Sequence, residues 1–493
     1  MKVKLWGTLT VLCAVVCHLA AQAPIQLTAF PTNVGTYSGT SPTYKDHPDF
    51  TCSPSAKVDS ILCVTGENVD LYTKAGKRIS STPLAQWMTS KLPGVKASKV
   101  NNPRVVFDPF IDPTGTGGRH VFVCSCGYIS GEPRPYPIVG ISDTGDPAGS
   151  WHAAQLGTKD YGDLTLVPGF DKNGLYVVYG QSSQAYVSSA LAVWKHSSLG
   201  KEVPAPLQTF DSSSGAPTYQ IYPALDYNPQ KPQTAPMYLI SACAPPDNAA
   251  GCQNHVRKLS VTLNILTWNS AGTSVKLSKT SIATNDMYNG RPGNAIQPEG
   301  FGIRANESHF SGMSVQGSNG HLYTSAPTSM KGANGSGVAG TNGFFAYEID
   351  PVKPAIVRQF QVGGNTTSQP FEALFPSTMS DGKNNVFWTF SMVSSSQFVT
   401  PTIFYLPANE SSLRGPYPLN VPAAVASYRG ACPRNDPPGM MGNYSCIVRD
   451  PSNANDLWVF GAYGAYSTAC KWATEAVKIS LSDAVQSGNR KPR

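Results

Sequence analysis

Tyr444-Ser445-Cys446-Ile447-Val448, then Asp450-Pro451-Ser452-Asn453, then Leu457-Trp458-Val459-Phe460: two runs of β-branched and aromatic residues flank a turn of Asp, Pro, Ser and Asn. That is the pattern of an antiparallel hairpin, because branched and aromatic side chains fit a pleated, half-buried surface while the turn residues supply tight backbone geometry. The same unit recurs along the chain. One copy joins Phe50-Thr51-Cys52 to Ile61-Leu62-Cys63-Val64, and another joins Arg104-Val105-Val106-Phe107-Asp108 to His120-Val121-Phe122-Val123. Leu164-Thr165-Leu166-Val167 leads through Asp171-Lys172-Asn173-Gly174 to Leu175-Tyr176-Val177-Val178, and Tyr222-Pro223-Ala224-Leu225-Asp226 precedes Met237-Tyr238-Leu239-Ile240. Gly312-Met313-Ser314-Val315 pairs with His321-Leu322-Tyr323-Thr324, and Glu372-Ala373-Leu374-Phe375 with Val386-Phe387-Trp388-Thr389-Phe390.

A period of roughly sixty to seventy residues fits four-stranded propeller blades with loops. Third strands are expected at Ile138-Val139-Gly140-Ile141-Ser142, Ala190-Leu191-Ala192-Val193-Trp194 and Phe344-Phe345-Ala346-Tyr347-Glu348-Ile349, and fourth strands at Ser150-Trp151-His152-Ala153 and Ile356-Val357-Arg358-Gln359-Phe360. The last unit has a third strand, Ala476-Val477-Lys478-Ile479-Ser480, and then only a polar tail. Ile25-Gln26-Leu27-Thr28-Ala29-Phe30 can supply its missing fourth. The reading is an all-β fold, a seven-bladed β-propeller of four-stranded antiparallel blades over residues 24–482, with the ring closed by the N-terminal strand. A two-domain β-sandwich and a six- or eight-bladed ring are the alternatives.

Composition agrees: of 493 residues only 14% are charged, with 45 Gly and 41 Pro, a profile of short strands and tight turns. The net charge of +7 is scattered apart from Asn489-Arg490-Lys491-Pro492-Arg493 in the flexible tail 483–493, so no basic stripe suits a phosphate backbone and nucleic acid is excluded as a partner class. Residues 1–23 read as a signal peptide, with Lys2 and Lys4, an apolar run and then Ala21-Gln22-Ala23, cleaved after Ala21 or Ala23. The apolar run is too short to span a bilayer. The protein is therefore expected to be secreted, extracellular or periplasmic, and monomeric.

Nine of the 11 cysteines lie beyond the signal segment, and export permits disulfides. Cys52 and Cys63 can bridge adjacent strands, Cys243 and Cys252 can staple a loop, and Cys432, Cys446 and Cys470 compete for one bond. Cys124 and Cys126 are too close to pair readily. Sequons occur at Asn306, Asn334, Asn365, Asn409 and Asn443.

Asn102-Pro103-Arg104-Val105-Val106-Phe107-Asp108, the run Ser142-Asp143-Thr144-Gly145-Asp146-Pro147-Ala148-Gly149-Ser150-Trp151, Asp160-Tyr161-Gly162-Asp163-Leu164 and Gly442-Asn443-Tyr444-Ser445 together resemble a broad group of secreted, mostly bacterial and largely uncharacterised β-propeller proteins. The run ending in Trp151 looks like a degenerate Asp-box, the hairpin signature of sialidase-like propellers. The resemblance implies fold and export. It brings no reaction with it, since the arginine triad and Tyr/Glu pair of sialidases are not placed in this sequence.

In a propeller the first strands surround a channel, and their entry ends line a funnel. Those ends offer Asp49, Arg104, Asp163, Tyr222, His309, Glu372 and Asn443. Such a mixed set suits sugar hydroxyls, which need both donors and acceptors, with Arg for an acidic group. Asp163 and Glu372 then form a candidate catalytic carboxylate pair, as in a glycosidase or polysaccharide lyase, with His309 or Tyr222 moving a proton. Arg104, Asp49, Asn443 and the loop residue Glu299 would bind the ligand. The alternative is a noncatalytic extracellular scaffold for a protein partner. No cofactor is implied; a structural calcium is possible at Asp143-Thr144-Gly145-Asp146 or Asp108-Pro109-Phe110-Ile111-Asp112, though neither matches an EF-hand loop.

Overall fold

The computed structural model describes residues 25–36, 50–112, 117–129, 136–156, 166–183, 186–200, 202–210, 221–241, 258–287, 294–298, 302–304, 313–330, 341–364, 368–419, 439–440, 445–466 and 471–481. Almost all of this is strand. Consecutive strands pair with antiparallel neighbours in runs of four, because short turns return each strand alongside the last. The first set is Phe50–Pro54, Ile61–Thr65, Asn68–Tyr72 and Arg78–Pro83. The second is Val95–Asp108, Arg119–Ile129, Tyr136–Ser142 and Trp151–Gln155. A sixth set runs Glu372–Ser380, Val386–Ser394, Gln397–Leu406 and Arg414–Pro418.

Between them lies a twelve-stranded sheet made of three further antiparallel sets. These begin at Val167–Phe170, Ile221–Asp226 and Ser314–Gln316 and are joined only where those first strands pair in parallel, Phe170 beside Leu225 and Leu225 beside Val315. The seventh set is Cys446–Asp450, Asn453–Tyr466 and Lys471–Leu481, completed by Ile25–Thr36 from the other end of the chain. The expected pairing is present, with Ala29 opposite Val477 and Leu27 opposite Ile479. Each first strand contacts the first strand of the following set, and Cys446–Asp450 contacts Phe50–Pro54.

Both faces of the sheets are buried, so apolar residues fill consecutive positions as well as alternate ones. Strand Glu372–Ser380 is buried throughout. Trp151, Trp194, Trp268, Trp388 and Trp458 are all under 2% exposed; they pack between sheets, and truncating any one to alanine is expected to cost about 3–5 kcal/mol. Their indole N–H groups are satisfied, Trp151 by the Pro147 carbonyl and Trp458 by Asp450 Oδ2.

Three features depart from the sequence reading. The first strand of the third set runs over Val167–Phe170, past the expected end at Val167, while Leu164 and Thr165 of the expected run lie outside the described residues. Pro168 and Gly169 sit inside that strand, and Gly169 is needed there: a Cβ would fall 2.3 Å from Pro223 Cβ of the adjoining strand. A short helix, Leu84–Lys91, buries Leu84, Trp87 and Met88 at positions i, i+3 and i+4; Trp87 meets Phe122 and Trp151 edge-on, each at 5.2 Å. Third, Cys446 is bonded to no other cysteine among the described residues and is a buried free thiol. Cys52 and Cys63, directly opposite one another, form the disulfide. Cys243, Cys252, Cys432 and Cys470 lie outside the described residues.

Candidate functional site

Five first strands lead directly into an aspartate at their turn end: Asp108, Asp171, Asp226, Asp381 and Asp450, none more than 3% exposed. An isolated buried carboxylate is costly, so its oxygens must find donors. Local donors come from the turn. Asp171 Oδ1 accepts the N–H groups of Asn173 and Gly174 at 2.8 and 3.0 Å and the Tyr176 hydroxyl at 2.9 Å. Asp108 accepts from Phe110 N–H, Asp226 from Asn228, Asp381 from Lys383 and Asn385, and Asp450 from Ser452.

The remaining capacity goes to neighbouring sets. Lys231 Nζ lies 3.0 Å from Asp171 Oδ2 and 2.9 Å from Asp226 Oδ2; burial opposes its charge, but the two carboxylates outweigh it and raise its pKa. His196 Nε2 lies 2.9 Å from Asp108 Oδ2. Burial works against that ring's charge too, yet Asp108 lifts its pKa above the ordinary value. Lys74 reaches Asp450 at 2.8 Å from the first set to the seventh. In the first set serines replace the aspartate: the His120 ring sits 3.0 Å from both Ser53 Oγ and Ser55 Oγ, and burial lowers its pKa to about 3, leaving it neutral.

Beside these ion pairs, rings from successive sets meet at the turn end. Tyr227 of the fourth set meets Phe170 of the third edge-on at 5.1 Å; Phe170 meets Phe110 of the second at 6.2 Å, and Phe110 stacks on His196. Arg449 of the seventh set places its guanidinium 4.3 Å over the Tyr227 ring while donating to the carbonyls of Ser380 and Asp381 in the sixth. Fourth and seventh sets are not neighbours along the series of contacting first strands. Arg449 and Tyr227 thus join two sets that do not follow one another in that series. Asp108 and Phe110 lie in a run read from the sequence as a candidate calcium loop; none of the others was singled out as a site residue, although the repeated Asp at these strand-to-turn junctions was a usable signal.

Of the sequence-selected site residues, Asp49, Asp163, Glu299, His309 and Asn443 lie outside the described residues. Arg104, Tyr222 and Glu372 are all buried and belong to three different sets. Arg104 stands opposite Val123, near enough to Cys446 to influence its thiol. Tyr222 packs in the apolar cluster shared by the third, fourth and fifth sets, with Ile240, Leu263 and Phe345. Glu372 Oε2 accepts the Asn342 backbone N–H at 2.9 Å and also its side-chain amide. These three are not drawn together by any of those contacts.

Toward the entry ends of the sixth and seventh sets lie two further features. Asn294–Ile296 pairs with Gly302–Arg304, which pairs in parallel with Gly439–Met440; its Ala295 and Ile303 are fully buried in a cluster with Leu374, Phe375, Val393 and Cys446. Phe375 itself occupies the left-handed region at φ 53°, a strained position for a bulky residue, within a bulge of its strand. Glu475, opposite Gly461 and Pro31, is 1% exposed. Neither of its carboxylate oxygens has a hydrogen-bond partner among the described residues, and burial pushes its pKa up to about 7.

The Asp-box-like run closes the turn between the third and fourth strands of the second set. Ser142 Oγ donates to the Thr144 carbonyl and accepts from His120 N–H, and Trp151 is buried beside it. Asp143 pairs with His152 at 2.6 Å, and Asp146 Oδ1 accepts from Ala148 N–H. Among the described residues no group of three or more His, Cys, Asp and Glu side chains is placed to hold a metal, and no helix is long and apolar enough to cross a membrane.

No protein-family model matches the chain, and no curated protein matches it. Among solved structures the chain is similar to a polysaccharide lyase, at 9% identity and a TM-score of 0.43 over 88% of this chain and 90% of that one. It is similar to an α-L-arabinofuranosidase from Fusarium graminearum, at 11% identity and 0.37 over 90% and 96%. A sialidase from Trypanosoma rangeli is similar at 9% identity and 0.38, over 91% of this chain and 60% of the sialidase. All three scores lie below 0.5; the fold rests on its own strand pairing.

Proposed function

We propose that the seven sets are the blades of a closed β-propeller, that residues 1–23 export it, and that it recognises a glycan at the entry end of its central channel as a glycosidase or polysaccharide lyase. The contact of Arg449 with Tyr227 carries this reading. It joins sets that do not follow one another, as blades facing a common channel would, and in this reading it occupies the turn end and leaves the entry end for a ligand. Closure by Ile25–Thr36 also removes exposed strand edges.

In this reading Asp163 and Glu372 are the carboxylate pair, with the Asn342 hydrogen bonds holding Glu372 in one orientation. Arg104 faces an acidic group on the sugar, His309 moves the proton, and Asp49, Asn443 and Glu299 meet hydroxyls. Tyr222, packed in the core, supports the wall. The test is turnover and binding on a panel of neutral and acidic polysaccharides by the full chain and by Asp163→Asn and Glu372→Gln. At least about a hundredfold loss of turnover in either folded variant is expected. A parent protein that neither binds nor cleaves any polysaccharide, yet captures a protein partner, would establish the scaffold reading instead.

A further inference from the structure

The Cys52–Cys63 disulfide lies within the first set, against the strand that opens the seventh. Cys446 there is held by Cys52 through both of its hydrogen-bonding capacities: the Cys52 N–H donates to Cys446 Sγ at 3.4 Å, and the Cys446 thiol donates to the Cys52 carbonyl at 3.7 Å. All three cysteines are no more than 1% exposed and share one apolar cluster with Tyr72, Trp458 and Phe460. Packing alone would let a free thiol sit anywhere in that cluster. Here it sits against the residue that carries the disulfide.

We propose that these residues form a thiol–disulfide exchange site in which Cys446 takes Cys52 from Cys63, converting a staple inside the first set into a covalent latch between first and last sets. The Cys446 thiolate attacks Cys52 Sγ; the Cys52–Cys63 bond breaks as the Cys52–Cys446 bond forms. Cys63 leaves as a thiolate and takes up the proton that Cys446 gave up. One disulfide and one thiol remain, so no oxidant is consumed. The new bond links residues 394 apart in sequence instead of 11, tying the two ends of the strand series.

Burial pushes the Cys446 thiol up to about 12, opposed by the Cys52 backbone contact and by the Arg104 charge. The packed thiol is therefore protonated and exchange waits on opening of the seam. Opening admits water, restores an ordinary thiol and starts the reaction. The latch then forms when the seam is threatened.

The experiment holds the purified full chain in urea below its unfolding midpoint at pH 7.0 and pH 8.5, alkylates with iodoacetamide, and maps peptides by mass spectrometry without reduction. The expected result is a Cys52–Cys446 peptide, matched by alkylated Cys63, rising at least about tenfold between the two pH values with the thiolate fraction. Cys446→Ser, or Cys446→Ala if the serine variant does not fold, should leave Cys63 unalkylated. Only the Cys52–Cys63 peptide at both pH values, or Cys63 alkylation undiminished without Cys446, would overturn the proposal.

Discussion

Two ends of the first strands bury charge in opposite ways. At the turn end Asp171 is fully buried and meets two turn N–H groups, the Tyr176 hydroxyl and Lys231. Toward the entry end Glu475 is as deeply buried, but neither oxygen finds a partner among the described residues, and its pKa climbs to about 7. The first solution surrounds the carboxylate with donors and a cation; the second disfavours the charged form by burial alone. A buried charge at the turn end thus fixes neighbouring sheets to one another, whereas Glu475 makes stability depend on pH.

The largest effect belongs to the paired end. Asp171→Ala removes the partner of three donors and leaves Lys231 with Asp226 alone, so urea denaturation should show a loss of about 3–5 kcal/mol. A loss below about 1 kcal/mol would mean that the turn-end ion pairs do not hold the sheets together.

Glu475 should give an intermediate effect of the opposite sign. Its folded pKa is raised from 4.5 to about 7, so the folded state binds the proton more tightly than the unfolded chain, and stability falls as pH rises from about 4.5 to 7 and levels off above. Glu475→Gln should therefore leave stability at pH 4 nearly unchanged and raise it at pH 8 by about 1–3 kcal/mol. Equal effects at both pH values would show that the carboxyl is not held neutral by burial.

His196 should give the smallest change, in a different window. Its folded pKa lies above its ordinary value, so its attraction to Asp108 is fully present below about pH 6.5 and fades as pH rises through the folded value. His196→Gln should flatten the stability profile on the alkaline side of pH 6.5 and leave the Glu475 window untouched. A profile unchanged by the substitution would place His196 outside the titrating groups.

The strands were legible because short β-branched runs bounded by Asp, Asn, Pro and Gly are a local signal. Pro168 and Gly169 hid one strand, since both normally interrupt a strand and only the close approach of Pro223 explains the glycine. The helix Leu84–Lys91 escaped a search for alternation although Leu84, Trp87 and Met88 carry a helical period. Partnerships were less legible than elements. Arg449 meets Tyr227, and Lys231 meets Asp171, across sets that are distant in sequence, and nothing local announces such pairs. Tyr222 and Glu372 show the same: their strand positions were legible, but the apolar cluster around Tyr222 and the Asn342 amide bonded to Glu372 were not, because local register and bulges such as the one between Leu374 and Ser377 decide them.

The proposed ring is tested most directly by a double-mutant cycle on Arg449 and Tyr227, using Arg449→Met and Tyr227→Leu. If fourth and seventh blades meet across the channel, the two losses will couple by about 1–2 kcal/mol, as a buried cation over an aromatic face should. Strict additivity, within about 0.3 kcal/mol, would contradict a channel closed at that end.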